Sequence, residues 1–160
     1  MTIYIGADHR GFELKEALKK YLLENSYQVV DMGNDHYDIN DDYPDFAKLV
    51  AQKISATSAE LRGKETQNYA EEARGILICR SGAGVDIVAN KFKGVRSALV
   101  TDVNQAELVR KDDDTNVLSL ASELSNEEQA KKITDVWLKT SFSGLEKDVR
   151  RIKKVAELDK

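Results

Sequence analysis

The chain has 160 residues, 41% of them hydrophobic and 32% charged, with a net charge of −4. That length is one domain, residues 1–160, with room for a real core, and that balance excludes a disordered chain. The acidic charge leaves no electrostatic footprint for nucleic acid, and no apolar run approaches the ~20 residues that cross a bilayer. The opening MTIYIGADHRGF reads as a strand without the cationic leader of a signal peptide. The first strand spans Ile3–Ala7. A helix follows, with Leu14, Ala17, Leu18, Tyr21 and Leu22 on one face. Gln28–Met32 is the second strand. Pro44 opens a helix carrying Phe46, Leu49, Val50 and Ile54, because its fixed φ suits a first turn. The polar stretch Ser55–Arg74 has no apolar period and reads as a surface connection. Gly75–Cys79 is the third strand, Val85–Asn90 a short helix, and Val95–Val100 the fourth strand. A helix over Val103–Lys111 takes Asp102 as N-cap. Asn116–Leu120 is the last strand. A capping box from Ser125 to Glu128 starts a helix that turns Ala130, Ile133, Val136 and Trp137 inward. Gly144 sets off a basic helix, Glu146–Leu158.

These strands are apolar on both faces, which predicts a parallel sheet covered on each side. Strand–helix alternation five times over is a doubly wound, Rossmann-like α/β fold: a five-stranded parallel sheet between two helical layers. Ligands bind beyond the carboxyl ends of such strands. Chemistry is therefore sought in Asp8–Gly11, Gly33–Tyr43, Arg80–Gly84, Thr101–Asp102 and Ala121–Ser125.

Cys79 is the only cysteine, so no internal disulfide forms, which fits a reducing cytoplasm. It ends a buried strand and runs into the small-residue turn Ser81-Gly82-Ala83-Gly84. Free backbone N–H groups there suit an anion. The thiol is a small buried hydrophobe or, beside those amides, a nucleophile or base. His9, next to Asp8, is a structural group or a general acid/base or phosphate contact. His36, in an acidic loop, reads as a surface residue. The run Asp112-Asp113-Asp114 is a solvated turn or, placed near the functional end of the sheet, a face toward a ligand or partner. Lys147, Arg150, Arg151, Lys153 and Lys154 make a basic helix face. The His, Cys and carboxylate residues do not form a spaced metal set, and Gly82-x-Gly84 lacks the dinucleotide fingerprint, so no metal and no NAD are expected.

Several segments together resemble one family. Gly6-Ala7-Asp8-His9-Arg10-Gly11-Phe12 is similar to the GxDHxGF opening of the type B ribose-5-phosphate isomerases and the related allose- and galactose-6-phosphate isomerases. Asp42-Tyr43-Pro44-Asp45 resembles their DYP segment. GILICRSGAG with Ala89-Asn90-Lys91 and Gly94-Val95-Arg96 resembles their core, and Thr115-Asn116-Val117-Leu118 their last strand. Phe142-Ser143-Gly144 sits where their C-terminal tail begins.

The resemblance implies a cofactor-independent aldose–ketose isomerase of ribose 5-phosphate and ribulose 5-phosphate, working through an enediolate. The alternatives are an isomerase of a six-carbon aldose 6-phosphate or a non-catalytic sugar-phosphate binder. It also implies a homodimer or dimer of dimers with sites between subunits, the helix at about 145–158 packing on the partner. By position, Cys79 is the base, Ser81 supports it, and Gly82, Ala83 and Gly84 line the anion hole. Asp8 holds sugar hydroxyls; His9 and Tyr43 line the sugar or phosphate end. The chain departs from the family pattern at five positions. Arg80 replaces a glycine. Asp112 and Asp113 replace the ring-opening His and an Asn. Lys147 and Arg151 stand for two phosphate-binding arginines, and Asp148 for a His. Ring opening then falls to His9 or is left to spontaneous opening in water, and Arg10 or Arg80 is left to add charge to the phosphate pocket.

Overall fold

The computed structural model describes residues 1–61 and 73–159. Five strands and six helices are found there: β1 (Thr2–Ala7), α1 (Phe12–Glu24), β2 (Gln28–Asp31), α2 (Tyr43–Leu61), β3 (Ala73–Cys79), α3 (Ala83–Ala89), β4 (Ser97–Leu99), α4 (Val103–Lys111), β5 (Val117–Ala121), α5 (Glu127–Lys139) and α6 (Glu146–Ala156). All strand pairings are parallel, in the order β2-β1-β3-β5-β4. The expected three-layer, doubly wound arrangement is what forms.

Side chains alternate across the strands and so feed two cores. On one face Ile3, Ile5, Ile76, Ile78 and Leu118 pack under Leu14, Leu18 and Leu22 of α1, Ala106 of α4, and Ala130, Ile133 and Trp137 of α5. On the other, Leu77, Cys79 and Val117 pack under Ala47, Val50 and Ile54 of α2 and Val85 and Ala89 of α3. Gly75 lets α2 close on the sheet: a Cβ there would come 2.8 Å from Val50. The rim of the first core is held by Arg74. Its guanidinium lies 5.2 Å from the Trp137 ring centre and donates to the Trp137 and Leu138 carbonyls, both at 2.9 Å.

The local signals for helix starts held in part. Asp102 caps α4, its carboxylate accepting from the Gln105 N–H at 2.9 Å. The capping box of α5 lies one residue later than expected, between Asn126 and Gln129. The connection expected over Ser55–Arg74 is helical through Leu61, and Ala73 and Arg74 already belong to β3; residues 62–72 lie outside the described residues. The outer strands β2 and β4 are only partly covered, so the expectation of two buried faces holds for β3 and β5 but not at the edges. Of α6, Asp148 alone is buried.

Candidate active site

The site begins where β1 and β3 end. Ala7 pairs with Ile78, so Asp8 and Cys79 leave neighbouring strands side by side, about 5 Å apart in the hydrogen-bonding direction. The loop after β1 rests on the end of β3. Gly11 lies so close that a Cβ would sit 2.6 Å from the Ile78 carbonyl oxygen. Asp8 is buried, and its carboxylate accepts the Gly11 N–H at 3.0 Å. Burial pushes the Asp8 carboxyl above its ordinary value, with the Gly11 N–H and the neighbouring His9 opposing.

Cys79 is buried on the α2–α3 side of the sheet. The chain then turns through Gly82, whose φ of +73° is the left-handed region that favours glycine. A Cβ there would lie 3.0 Å from the Leu120 carbonyl carbon. Among the described residues the N–H groups of Ser81, Gly82, Ala83 and Gly84 donate to no protein acceptor, which leaves them available to an anion. Tyr43, at the start of α2, lies over this turn; a Cβ on Gly84 would come 2.8 Å from its ring. Ser81 is exposed at the turn's outer side.

His9 is fixed by a residue that sequence reasoning did not single out. Its Nδ1 lies 2.7 Å from Asp41 Oδ1, and its backbone N–H donates to the same oxygen at 2.8 Å. The Tyr37 ring meets it edge-on, centres 6.0 Å apart. Asp41 falls in the Gly33–Tyr43 segment already marked as functional, but only the path of that loop shows which of its carboxylates reaches His9. His36 is exposed, as expected.

The loop after β5 completes the rim. The Ser122 hydroxyl donates to the Arg10 carbonyl at 2.9 Å, and its N–H to the Cys79 carbonyl at 3.0 Å. Arg10 and Arg80 do not join His9. They line a separate cleft of about 390 Å³ between the starts of α1 and α5, where Arg80 pairs with Glu123 at 2.6 Å.

The remaining candidates sit elsewhere. Asp112, Asp113 and Asp114 close α4 and precede β5, at the amino ends of the strands, not near the carboxyl ends as expected. The reason is topological: a helix between parallel strands runs back, so its last turn reaches the far edge of the sheet. Asp114 is structural there, holding Arg96 at 2.7 Å and buried Arg110 at 2.8 Å. The tail joins this corner. The Ser143 N–H donates to the Lys111 carbonyl at 2.8 Å, and buried Asp148 accepts from the Ser143 hydroxyl at 2.8 Å and Arg151 at 3.2 Å. Partial desolvation, then the like charges of Asp112 and Asp148, push the Asp113 carboxyl above its ordinary value. Lys147 and Arg151 are exposed on α6. Among the described residues no group of three or more His, Cys, Asp or Glu side chains could hold a metal, and no helix is long and apolar enough to cross a membrane.

A buried thiol beside a carboxyl group, unfilled amides and an oriented imidazole can move a proton next to a carbonyl and hold the oxyanion that forms. The model of the family described as Ribose/Galactose Isomerase matches residues 3–155. The chain belongs to that family. The chain is similar to a probable ribose-5-phosphate isomerase B of Mycoplasma genitalium, 40% identical over 159 residues, covering 99% of this chain and 96% of that one. The ribose-5-phosphate isomerase B of Escherichia coli K12 is 37% identical over 142 residues, 89% of this chain and 86% of its own. Among solved structures, the Mycoplasma genitalium isomerase with bound ribulose-5-phosphate superposes with a TM-score of 0.87 at 40% identity, covering 98% of this chain and 94% of that one. The Clostridium thermocellum isomerase B gives 0.86 at 34% identity, covering 99% and 97%. The ribose/galactose isomerase fold and the order of its motifs thus extend over nearly the whole chain.

Proposed function

We propose that this protein interconverts ribose 5-phosphate and ribulose 5-phosphate through an enediolate. The observation that carries this reading is the adjacency of Cys79 and Asp8 at the ends of neighbouring strands, beside a turn whose N–H groups have no acceptor among the described residues. Cys79, as thiolate, takes the proton from C2 of the open-chain aldose. The electron pair moves to O1, and the Ser81–Gly84 amides hold that oxygen as charge develops, an interaction worth several kcal/mol in a water-poor site. The O2 hydroxyl proton passes to O1, the O2–H electron pair becomes the new C2 carbonyl bond, and returning the carbon-bound proton to C1 gives the ketose. Asp8 and Tyr43 orient the sugar, and His9 opens the ring. The reaction needs no cofactor, because the substrate's own carbonyl is the electron sink.

The site is shared between two copies of the chain. Asp112, Asp113, Lys147 and Arg151 lie at the opposite end of the strands from Cys79, so they serve a neighbouring subunit's thiol and phosphate end and not their own. The exposed apolar residues Leu145, Val149 and Val155 on and beside α6 suit that packing. Its lone, unpaired cysteine suits a cytoplasmic enzyme.

Incubating the purified protein with ribose 5-phosphate and assaying ketose tests this directly. Ketose formation abolished by Cys79→Ala is the expected result. Turnover of allose 6-phosphate with none of ribose 5-phosphate would overturn the substrate assignment.

A further inference from the structure

The contacts around His9 go beyond holding a side chain in place. The Asp41 side chain is 7% exposed, and one of its oxygens faces both the backbone N–H and the Nδ1 of the same histidine, at 2.8 and 2.7 Å. Its other oxygen accepts from Asn34 Nδ2 at 3.1 Å. The Asn34 carbonyl in turn accepts from Lys15 Nζ at 2.8 Å, an ammonium with no solvent exposure. The chain Lys15–Asn34–Asp41–His9 therefore runs from a buried cation on α1 to the rim of the site. The Tyr37 ring packs edge-on against the imidazole.

An ionised carboxylate only accepts hydrogen bonds, so it meets Nδ1 favourably only when Nδ1 carries the proton. In the neutral imidazole this leaves the lone pair on Nε2. We infer that Asp41 is a positioning residue that sets His9 in the Nδ1–H form, so that Nε2 carries the ring-opening proton. This rests on the ring-opening role proposed for His9. The step balances within the substrate. Nε2 takes the proton from the C1 hydroxyl, and the O–H electron pair becomes the new C1 carbonyl bond. The bond from C1 to the ring oxygen breaks, and that oxygen receives the proton from the imidazolium. Asp41 faces the imidazolium while it exists and steadies its charge.

The test uses the full-length enzyme, with two reactions that differ in their need for an open ring. Isomerisation of ribose 5-phosphate requires opening. Exchange of a C1 hydrogen of ribulose 5-phosphate with deuterated water requires only Cys79 and the enediolate. Asp41→Ala should lower the first at least tenfold and leave the second within about threefold of the parent. The double variant with His9→Asn should be no slower than His9→Asn alone, since both remove one function. Exchange falling in step with isomerisation, or losses that multiply in the double variant, would overturn the inference. Nitrogen NMR of labelled histidine in the parent supplies a readout independent of activity and of how the variant folds. Neutral His9 protonated on Nδ1 is expected, and protonation on Nε2 would overturn the assignment. If His9→Asn isomerises as fast as the parent, the ring-opening reading fails, and the NMR result alone decides what Asp41 sets.

Discussion

Asp8 is a carboxyl group held where water is scarce, and that has a consequence for stability as well as for binding. Because burial raises its titration point, the folded chain binds that proton more tightly than the unfolded chain does. The contribution of Asp8 to stability is therefore full below the ordinary carboxylate range and is lost as pH rises through its raised value. Asp8→Asn keeps an acceptor for the Gly11 N–H without the charge. The variant should melt above the parent at pH 7, with the gain shrinking to nothing by about pH 3, while isomerase activity drops. Thermal melts across that range check the sign. Cys79→Ala removes only a sulfur from a packed position, so it should fold normally and lose about 100- to 10,000-fold in turnover. An alanine variant within a few-fold of the parent would remove Cys79 as the base. Cys79, Asp8 and the Gly82 turn were legible in the sequence because their signals are local: a strand end, a polar neighbour, a required backbone conformation. Asp41 was not, since its role depends on a contact across 32 residues. The grouping of Asp113 with Asp148 was hidden for the same reason.

Among the elements, α1 and β2 are joined by charge. Lys15 lies 2.7 Å from Asp31 and 2.8 Å from Glu16, and Lys19 bridges the same two carboxylates at 2.7 Å each. Burial alone would raise Asp31, but the two ammoniums and the Gly33 N–H outweigh it and hold its carboxyl below the ordinary range. Breaking a fully buried pair costs about 3–5 kcal/mol; Asp31 keeps Lys19, so Lys15→Met should cost about 2 kcal/mol. For a chain of this size that is a fall in melting temperature of about 4–8 °C, measurable by calorimetry. Helix periods were legible wherever a face meets the sheet. The end of α2 was not, because polar contacts carry it there: the Ser55 hydroxyl donates to the Lys93 carbonyl at 2.7 Å and that of Ser58 to the Gly94 carbonyl at 3.3 Å. Such bonds leave no hydrophobic rhythm. The displaced capping box of α5 shows a similar limit, since Ser125 and Asn126 are both good caps and only the chain's path selects between them.

Across the whole molecule, strand direction separates two sets of candidate site residues. Cys79 and Asp8 stand at the carboxyl ends of the strands, Asp113 and Arg151 at the amino ends. The shared-site reading predicts complementation. A Cys79→Ala chain and an Arg151→Ala chain, each inactive alone, should together recover about a quarter of parental activity on random mixing, because half the dimers are mixed and each rebuilds one of two sites. No recovery in verified heterodimers would mean that each chain builds its own site. The fold class was legible from strand–helix alternation alone. The location of the acidic run was misread because proximity along the chain to β5 hides which end of that strand it approaches.

On the shared-site reading, the separation of the two ends of the strands makes catalysis a matter of mass action. A lone chain would hold the thiol and the amides but no cation for the phosphate and no acidic corner facing them. Specific activity should then depend on enzyme concentration: constant when concentrated, and declining on dilution past the dissociation constant of the pair, while the far-UV circular dichroism of each chain stays the same. Substrate, bridging the two copies, should hold them together and shift that decline to lower protein concentration.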